Sequence, residues 1–289
     1  MRKIVIVADL FANQYAGGAE LSTEALIEVA PQDYEIIRLE SSDVNRTKID
    51  ELTEAFWIFT NFTKMGYYLI PQIVKQLDYI VVEYDYKLCW YRSPDLHVLE
   101  MEETCKCENA FVADLFINAR ACVFMSEKQA AWYKMMIPAI SEKSTVLGSF
   151  FSDESLRQLI ELRAAPKGQF WAVIASPSKI KGYDAMMMYC GANNIEPKIL
   201  KDLLYSELLR ELSTCKGLIY KPIGGDTCPR TVIEAQMMGL ELDLNDFVQH
   251  KDEGHYSNLG WLEHHLKFNK HDFWKRVVAN VIHQQKVNV

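Results

Sequence analysis

The stretch Lys221-Pro222-Ile223-Gly224-Gly225-Asp226-Thr227-Cys228-Pro229-Arg230-Thr231-Val232-Ile233-Glu234-Ala235-Gln236-Met237-Met238-Gly239 holds two carboxylates with seven residues between them. A strand is expected to end at Lys221, a glycine loop to turn the chain, and Pro229 to suit the first turn of a helix. Asp226 then lies in the loop, and Glu234 about one and a half turns into the helix. Thr227 and Thr231, with the open N–H groups of the helix start, make a phosphate-sized anion site, and Arg230 is a further donor-binding candidate beside them. Carboxylates are good acceptors for sugar or ribose hydroxyls. A capped helix with surface acids would explain the acids, but not the glycines, the proline and the small Ala235 and Gly239 together.

Two further segments offer anion chemistry. Ser176-Pro177-Ser178-Lys179-Ile180-Lys181-Gly182 places Lys179 and Lys181 after an apolar run, where an ammonium can neutralise a phosphate. The plainer alternative is a solvated lysine pair. Phe11-Ala12-Asn13-Gln14-Tyr15-Ala16-Gly17-Gly18-Ala19-Glu20 follows the first apolar run and opens a helix. There Gly17 and Gly18 let backbone approach a ligand closely, or simply satisfy a turn. It lacks the G-x-G-x-x-G spacing of dinucleotide folds, which disfavours a nicotinamide cofactor.

Tyr84 and Asp85 open an aromatic and charged run, Tyr84–Arg92, suited either to a sugar face or to plain packing. Cys89, His97, Cys105 and Cys107 are soft ligands close in sequence. Their C-x-C spacing is not the usual zinc spacing and no second cysteine pair appears, so no metal is expected. His264 and His265 are read as surface residues.

The elements that position these residues alternate. Apolar runs at Lys3–Asp9, Tyr34–Leu39, Phe56–Phe59, Tyr79–Glu83, Ala121–Met125 and Thr145–Leu147 are separated by helical patterns such as Gly18–Ala30. After a charged helix (Asp153–Arg163) and the turn-rich Ala165-Pro166-Lys167-Gly168, the pattern restarts. Strands are expected at Phe170–Ala175, Pro197–Leu200, Gly217–Tyr220 and Leu240–Leu244, and helices at Tyr183–Ala192, Leu203–Leu212 and Pro229–Met238. Apolar strands separated by helices imply parallel sheets covered on both faces. The division expected is an acceptor-side domain 1–150, a linker 151–168, a nucleotide-sugar domain 169–268, and an amphipathic helix over Asn269–Gln284 within a terminal segment 269–289.

The chain has 289 residues, enough for two domains, and hydrophobic residues make up 49%. Its net charge of −8 argues against a general nucleic-acid or anionic-membrane binder. No apolar run reaches the ~20 residues of a membrane span, and the first run is too short for a signal peptide. The seven scattered cysteines fit reduced thiols. A cytoplasmic protein without a transmembrane segment is expected.

Together these motifs resemble the GT-B glycosyltransferases, particularly the retaining family 4 group. The likeness lies in Gly17-Gly18-Ala19-Glu20, in Lys181-Gly182, and in Asp226 through Glu234-Ala235 to Gly239. It implies two Rossmann-like β/α/β domains facing a cleft, with a C-terminal helix crossing back to the first. It also implies a hexosyltransferase-like enzyme using a nucleoside diphosphate sugar as substrate, with no cofactor or metal, and a carbohydrate or glycolipid acceptor. By position, Glu234 would hold the ribose, Asp226 the donor sugar, and Lys181 the diphosphate, with Gly17 and Gly18 leaving room opposite. The chain departs from the family pattern at Ser176, where an arginine is usual and Lys179 could stand in. It departs again at Tyr84, where a histidine is usual, and at Asp226, where a glutamate is usual. Ser176 and Tyr84 keep open a non-catalytic nucleotide-sugar binder, and a sugar-nucleotide epimerase of the same fold is a second alternative.

Overall fold

A computed structural model describes residues 1–107 and 109–287. The chain divides into two compact units: 1–90 with 106–152 and 268–289, and 91–105 with 153–267. The first unit is built on β1 (Arg2–Ala8), β2 (Tyr34–Glu40), β3 (Phe56–Phe59), β4 (Asp78–Glu83), β5 (Cys122–Phe124) and β6 (Ser144–Val146). All pair in parallel, in the order β2-β1-β3-β4-β5-β6. Ile4 of β1 stands opposite Ile36 on one side and Phe56 on the other. Every residue of β3 is buried, as are Ile4–Ala8 of β1, so these strands show no apolar–polar alternation. Phe59 meets Tyr79 edge-on at 5.5 Å, and Phe116 stacks on Tyr133 at 4.9 Å.

The second unit is built on β7 (Trp171–Ile174), β8 (Lys198–Leu200), β9 (Gly217–Tyr220) and β10 (Glu241–Leu244), again parallel, in the order β10-β9-β7-β8. Val173, Met186, Cys190 and Ile219 form one buried cluster of its core, with Trp171 and Tyr183 packed against them. Gly217 is required here, because a Cβ would lie 2.5 Å from the Trp171 ring and 2.6 Å from the Glu241 carbonyl.

Counted within each sheet, both units share one order, second-first-third-fourth. The direction of winding therefore reverses between β1 and β3 and between β7 and β9. Ligands of open α/β sheets bind outside the carboxyl ends of the strands at such points.

Each unit is assembled from separate stretches of the chain. Residues 91–105 count with the second unit. Phe150 and Phe151 are fully buried in the first, while Asp153–Leu162 is a helix of the second, burying Leu156 and Leu159. The terminal segment begins its helix earlier than expected, at Leu259, and is not uniformly α-helical. Leu259–Asp272 leads into a π-helical stretch, Phe273–Val278, before Ala279–Val287. Trp274 Nε1 donates to the Leu26 carbonyl at 2.8 Å, Asn269 Nδ2 to those of Leu147 and Ser149, and Lys270 Nζ to that of Phe151. The segment from Phe268 is thus part of the first unit. Among the described residues, no helix is long and apolar enough to cross a membrane.

Candidate functional site

The site lies at the reversal between β7 and β9. Beyond β7 the chain makes a 3-10 turn, Lys179–Lys181, closed by Gly182 at φ 63°. That left-handed conformation favours glycine. Space does too, because a Cβ would lie 2.9 Å from the Ile223 side chain and 3.1 Å from the Lys221 carbonyl. The Ile223 N–H donates to the Ile180 carbonyl at 2.9 Å and ties this turn to the loop after β9. That loop is held in turn by residues 247–249. The Asp226 N–H donates to Phe247, and the Asp226 carbonyl accepts from the Gln249 N–H.

These constraints bring Lys181, Tyr220 and Asp226 together. Lys181 Nζ stands 3.1 Å from Tyr220 Oη and 3.4 Å from Asp226 Oδ2, and Tyr220 Oη donates to the same oxygen at 2.5 Å. Burial disfavours the lysine charge, but Tyr220 and Asp226 outweigh it and hold the ammonium protonated well above its ordinary range. Burial, and then the Asp226 charge, raise the Tyr220 phenol. The group combines a cation, a phenol that donates, and an oxygen of Asp226 that accepts.

Glu234 lies one turn inside the helix Arg230–Met237 and is 2% exposed. Its Oε1 accepts from Tyr205 Oη at 2.7 Å, with Arg230 Nε at 3.5 Å. Burial raises its pKa, opposed by Arg230 and Tyr205 and, more weakly, by Lys181. Arg230 and Thr227 are buried and Thr231 is half-buried. Pro229 is the residue before the helix rather than within its first turn. Its ψ of 114° is extended, so helical geometry begins at Arg230.

Lys179 does not join the group, and its Nζ pairs instead with Glu100 Oε1 at 2.6 Å. Beside the loop, a pocket of about 490 Å³ is lined by Asp95, Leu99, Lys221, Pro222, Asn245 and Phe247.

The remaining candidates belong to the first unit. Gly17 caps the helix Gly18–Glu28, and a Cβ there would lie 2.6 Å from the Tyr15 ring and 2.3 Å from a Glu20 oxygen. Tyr84 Oη shares a hydrogen bond with Thr23 at 3.1 Å. Asp85 is tied into a knot under β4. Lys87 Nζ lies 3.0 Å from Glu83 and 3.2 Å from Asp85, and Gln129 Nε2 donates to the Asp85 carbonyl. Burial drives the Glu83 carboxyl upward while Lys87 draws it down, and burial prevails.

Sequence reasoning missed several participants. Tyr220 and Tyr205 are ordinary residues of a strand end and an amphipathic helix, and only the loop and helix opposite give them partners. Asp9, after β1, accepts from Ser41 Oγ, Thr63 Oγ1 and the Lys64 N–H, partners far away in sequence. His250 is buried against Tyr256 at 4.3 Å, and nothing in its local sequence marks it.

Two parallel α/β units with one winding order, each with polar groups at its reversal point, define the GT-B fold class. No family model matches the sequence, and no curated protein matches it. Among solved structures, the chain is similar to Anabaena HepE in complex with UDP, with a TM-score of 0.54 at 9% identity over 94% of this chain and 90% of that one. It is likewise similar to HepE with UDP and glucose, at 0.53, 10% identity, 84% and 80%. The complex with UDP-glucose gives 0.52, 10% identity, 84% and 80%.

Proposed function

We propose that this chain is a glycosyltransferase whose donor is a nucleoside diphosphate sugar, held by its second unit. The observation that carries the reading is the Lys181–Tyr220–Asp226 group at the β7/β9 reversal. There a protonated ammonium and a carboxylate stand on two loops that converge where such sheets bind ligands. The fold it shares with structures that hold UDP and UDP-glucose supports a uridine donor.

In this reading Lys181 and the start of the helix Arg230–Met237 take the diphosphate. As the sugar–phosphate bond breaks, negative charge grows on the departing diphosphate, and a fixed ammonium with oriented N–H groups lowers the barrier. Asp226 accepts from a sugar hydroxyl and faces the positive charge developing on the sugar. Glu234 accepts from the ribose. In the present arrangement the Tyr205 hydroxyl already donates to Glu234, so ribose binding exchanges one donor for another. Transfer with retention, without a divalent metal at the diphosphate, follows from the family resemblance and the lysine. Gly17 and Gly18 are proposed to leave room for the donor phosphate and the acceptor, and Tyr84 and Asp85 to serve the acceptor side, with a carbohydrate or glycolipid as acceptor.

The test is incubation with a panel of nucleotide sugars and acceptors, with and without added magnesium or manganese. Transfer that is independent of the added ion supports the reading. An interconverted sugar would mark an epimerase, and nucleotide binding without turnover a non-catalytic relative.

A further inference from the structure

We propose that Cys89, His97, Cys105 and Cys107 form a structural zinc site of the three-cysteine, one-histidine type. All four are buried, and their ligand atoms all lie within 4.8 Å of one another. Around zinc, Zn–S bonds of ~2.3 Å put tetrahedral sulfurs about 3.8 Å apart. Closing onto the ion therefore asks for small side-chain adjustments.

Local structure explains how a stretch of nineteen residues converges on one point. The Cys89 N–H donates to the Tyr86 carbonyl at 2.9 Å, which turns the chain after β4. Ser93 Oγ then caps the helix Pro94–Met101, whose first turns carry His97, and the His97 ring packs edge-on to Tyr91 at 5.4 Å. Glu102, at φ 55°, reverses the chain beyond the helix. Residues two apart in extended chain face the same way, so Cys105 and Cys107 can present both sulfurs to one place. The C-x-C spacing, which read against zinc in sequence, suits it here because the second pair of ligands comes from a loop and a helix rather than from another C-x-x-C.

The donor set decides the chemistry. Thiolate and imidazole are soft ligands that select zinc over magnesium or calcium. Four protein ligands leave no open position, so the site is structural and not a source of activated water. Binding releases the three thiol protons to solvent, and the filled site carries one net negative charge. A disulfide would use two of the sulfurs and give neither the third nor the histidine a role. The metal would pin both ends of the helix Pro94–Met101, which carries Leu96 against the Gly224 loop and Glu100 against Lys179.

The experiment is elemental analysis of the purified full-length chain, with cobalt exchange. One zinc per chain is expected. Cobalt should give the visible bands of a tetrahedral ion with thiolate charge-transfer absorption. Cys105→Ser and His97→Ala should each lose most of the zinc, whereas Cys190→Ser, buried elsewhere, should keep it. A strong chelator should lower the melting temperature of the parent chain. Cobalt exchange on the unsubstituted chain keeps the test decisive if the variants fail to fold. The proposal is overturned if zinc is far below one per chain with no cobalt spectrum, if mass analysis finds a disulfide within the cluster, or if the cysteine variants hold as much zinc as the parent.

Discussion

Tyr220 donates its hydroxyl proton to Asp226 Oδ2 at 2.5 Å while Lys181 stands 3.1 Å from that same hydroxyl. The phenol thus lies between a cation and an anion and fixes where the carboxylate points. Tyr220→Phe keeps the ring that packs beside Lys181 Nζ at 5.6 Å and removes only the hydroxyl. It is expected to cost ~0.5–1.5 kcal/mol of stability. Affinity for the bare nucleoside diphosphate should stay nearly unchanged, while single-turnover transfer slows. Calorimetry beside rapid-quench kinetics checks both; a large loss of diphosphate affinity would mean that the hydroxyl serves the phosphates instead.

Lys181→Met removes the ammonium that the diphosphate is proposed to meet. A lost charged hydrogen bond is worth ~1.5–3 kcal/mol, so diphosphate affinity should fall by roughly tenfold to a hundredfold. The same measurement on Lys179→Met separates the two lysines. Lys179 is exposed and paired with Glu100, so its loss should change affinity severalfold at most.

The two acids should divide binding from turnover. An interaction equal in ground and transition states affects affinity rather than rate. Glu234→Gln should therefore weaken the diphosphate and the full donor alike, by ~1.5–3 kcal/mol. Asp226→Asn should spare the diphosphate and reduce the rate with the true donor. The reverse result would exchange their roles. No effect of either would leave the loop and helix without a donor function.

Much of this arrangement was legible before the fold. Strands buried on both faces write themselves as unbroken apolar runs, which is why Phe56–Phe59 and Gly217–Tyr220 match their expected bounds residue for residue. Lys181 and Asp226 could be paired because each follows a strand, and glycines mark both turns. Other relationships depend on which segments fold against each other. Tyr205 reaches Glu234 across twenty-nine positions and Asp9 reaches Thr63 across fifty-four, and neither spacing leaves a periodic trace. The assignment of residues 91–105 to the second unit was illegible for the same reason. A short helix within a loop carries no composition that says which sheet it joins.

Burial gives stability a dependence on acid. It pushes the His250 imidazole down to about 3 from 6.5; His255 acts in the same direction, and Asp226 acts against both. The unfolded chain takes up a proton near pH 6.5 that the folded chain refuses until about pH 3. The contribution is therefore complete above pH 6.5 and is lost as pH falls through that window, by a few kcal/mol. Urea unfolding between about pH 7 and about pH 4 should show a shallower decline for His250→Gln than for the parent. Parallel lines would show that the histidine charges in the folded state.

The two loop glycines should differ. A Cβ at Gly224 would meet Ser93 Oγ at 2.7 Å and Leu96 Cβ at 3.0 Å, and the latter cannot swing aside. At Gly225 it would meet the far ends of Gln249 and Asp95, which can. Gly224→Ala should cost ~1–3 kcal/mol and Gly225→Ala distinctly less, measured by thermal unfolding.

The placing of residues 268–289 in the first unit has a consequence for synthesis. The six strands of that unit are all made before Phe151 leaves the ribosome, yet the groove that receives Trp274 and Phe273 waits for more than a hundred further residues. At ~5–20 residues per second the nascent chain spends on the order of ten seconds with that apolar surface uncovered. The second unit emerges and can fold in the interval, so the first sheet to be made is the last to be sealed. Chaperones, which shelter apolar surface on growing chains, would find their longest-lived target where Leu26 and Phe150 await their partners.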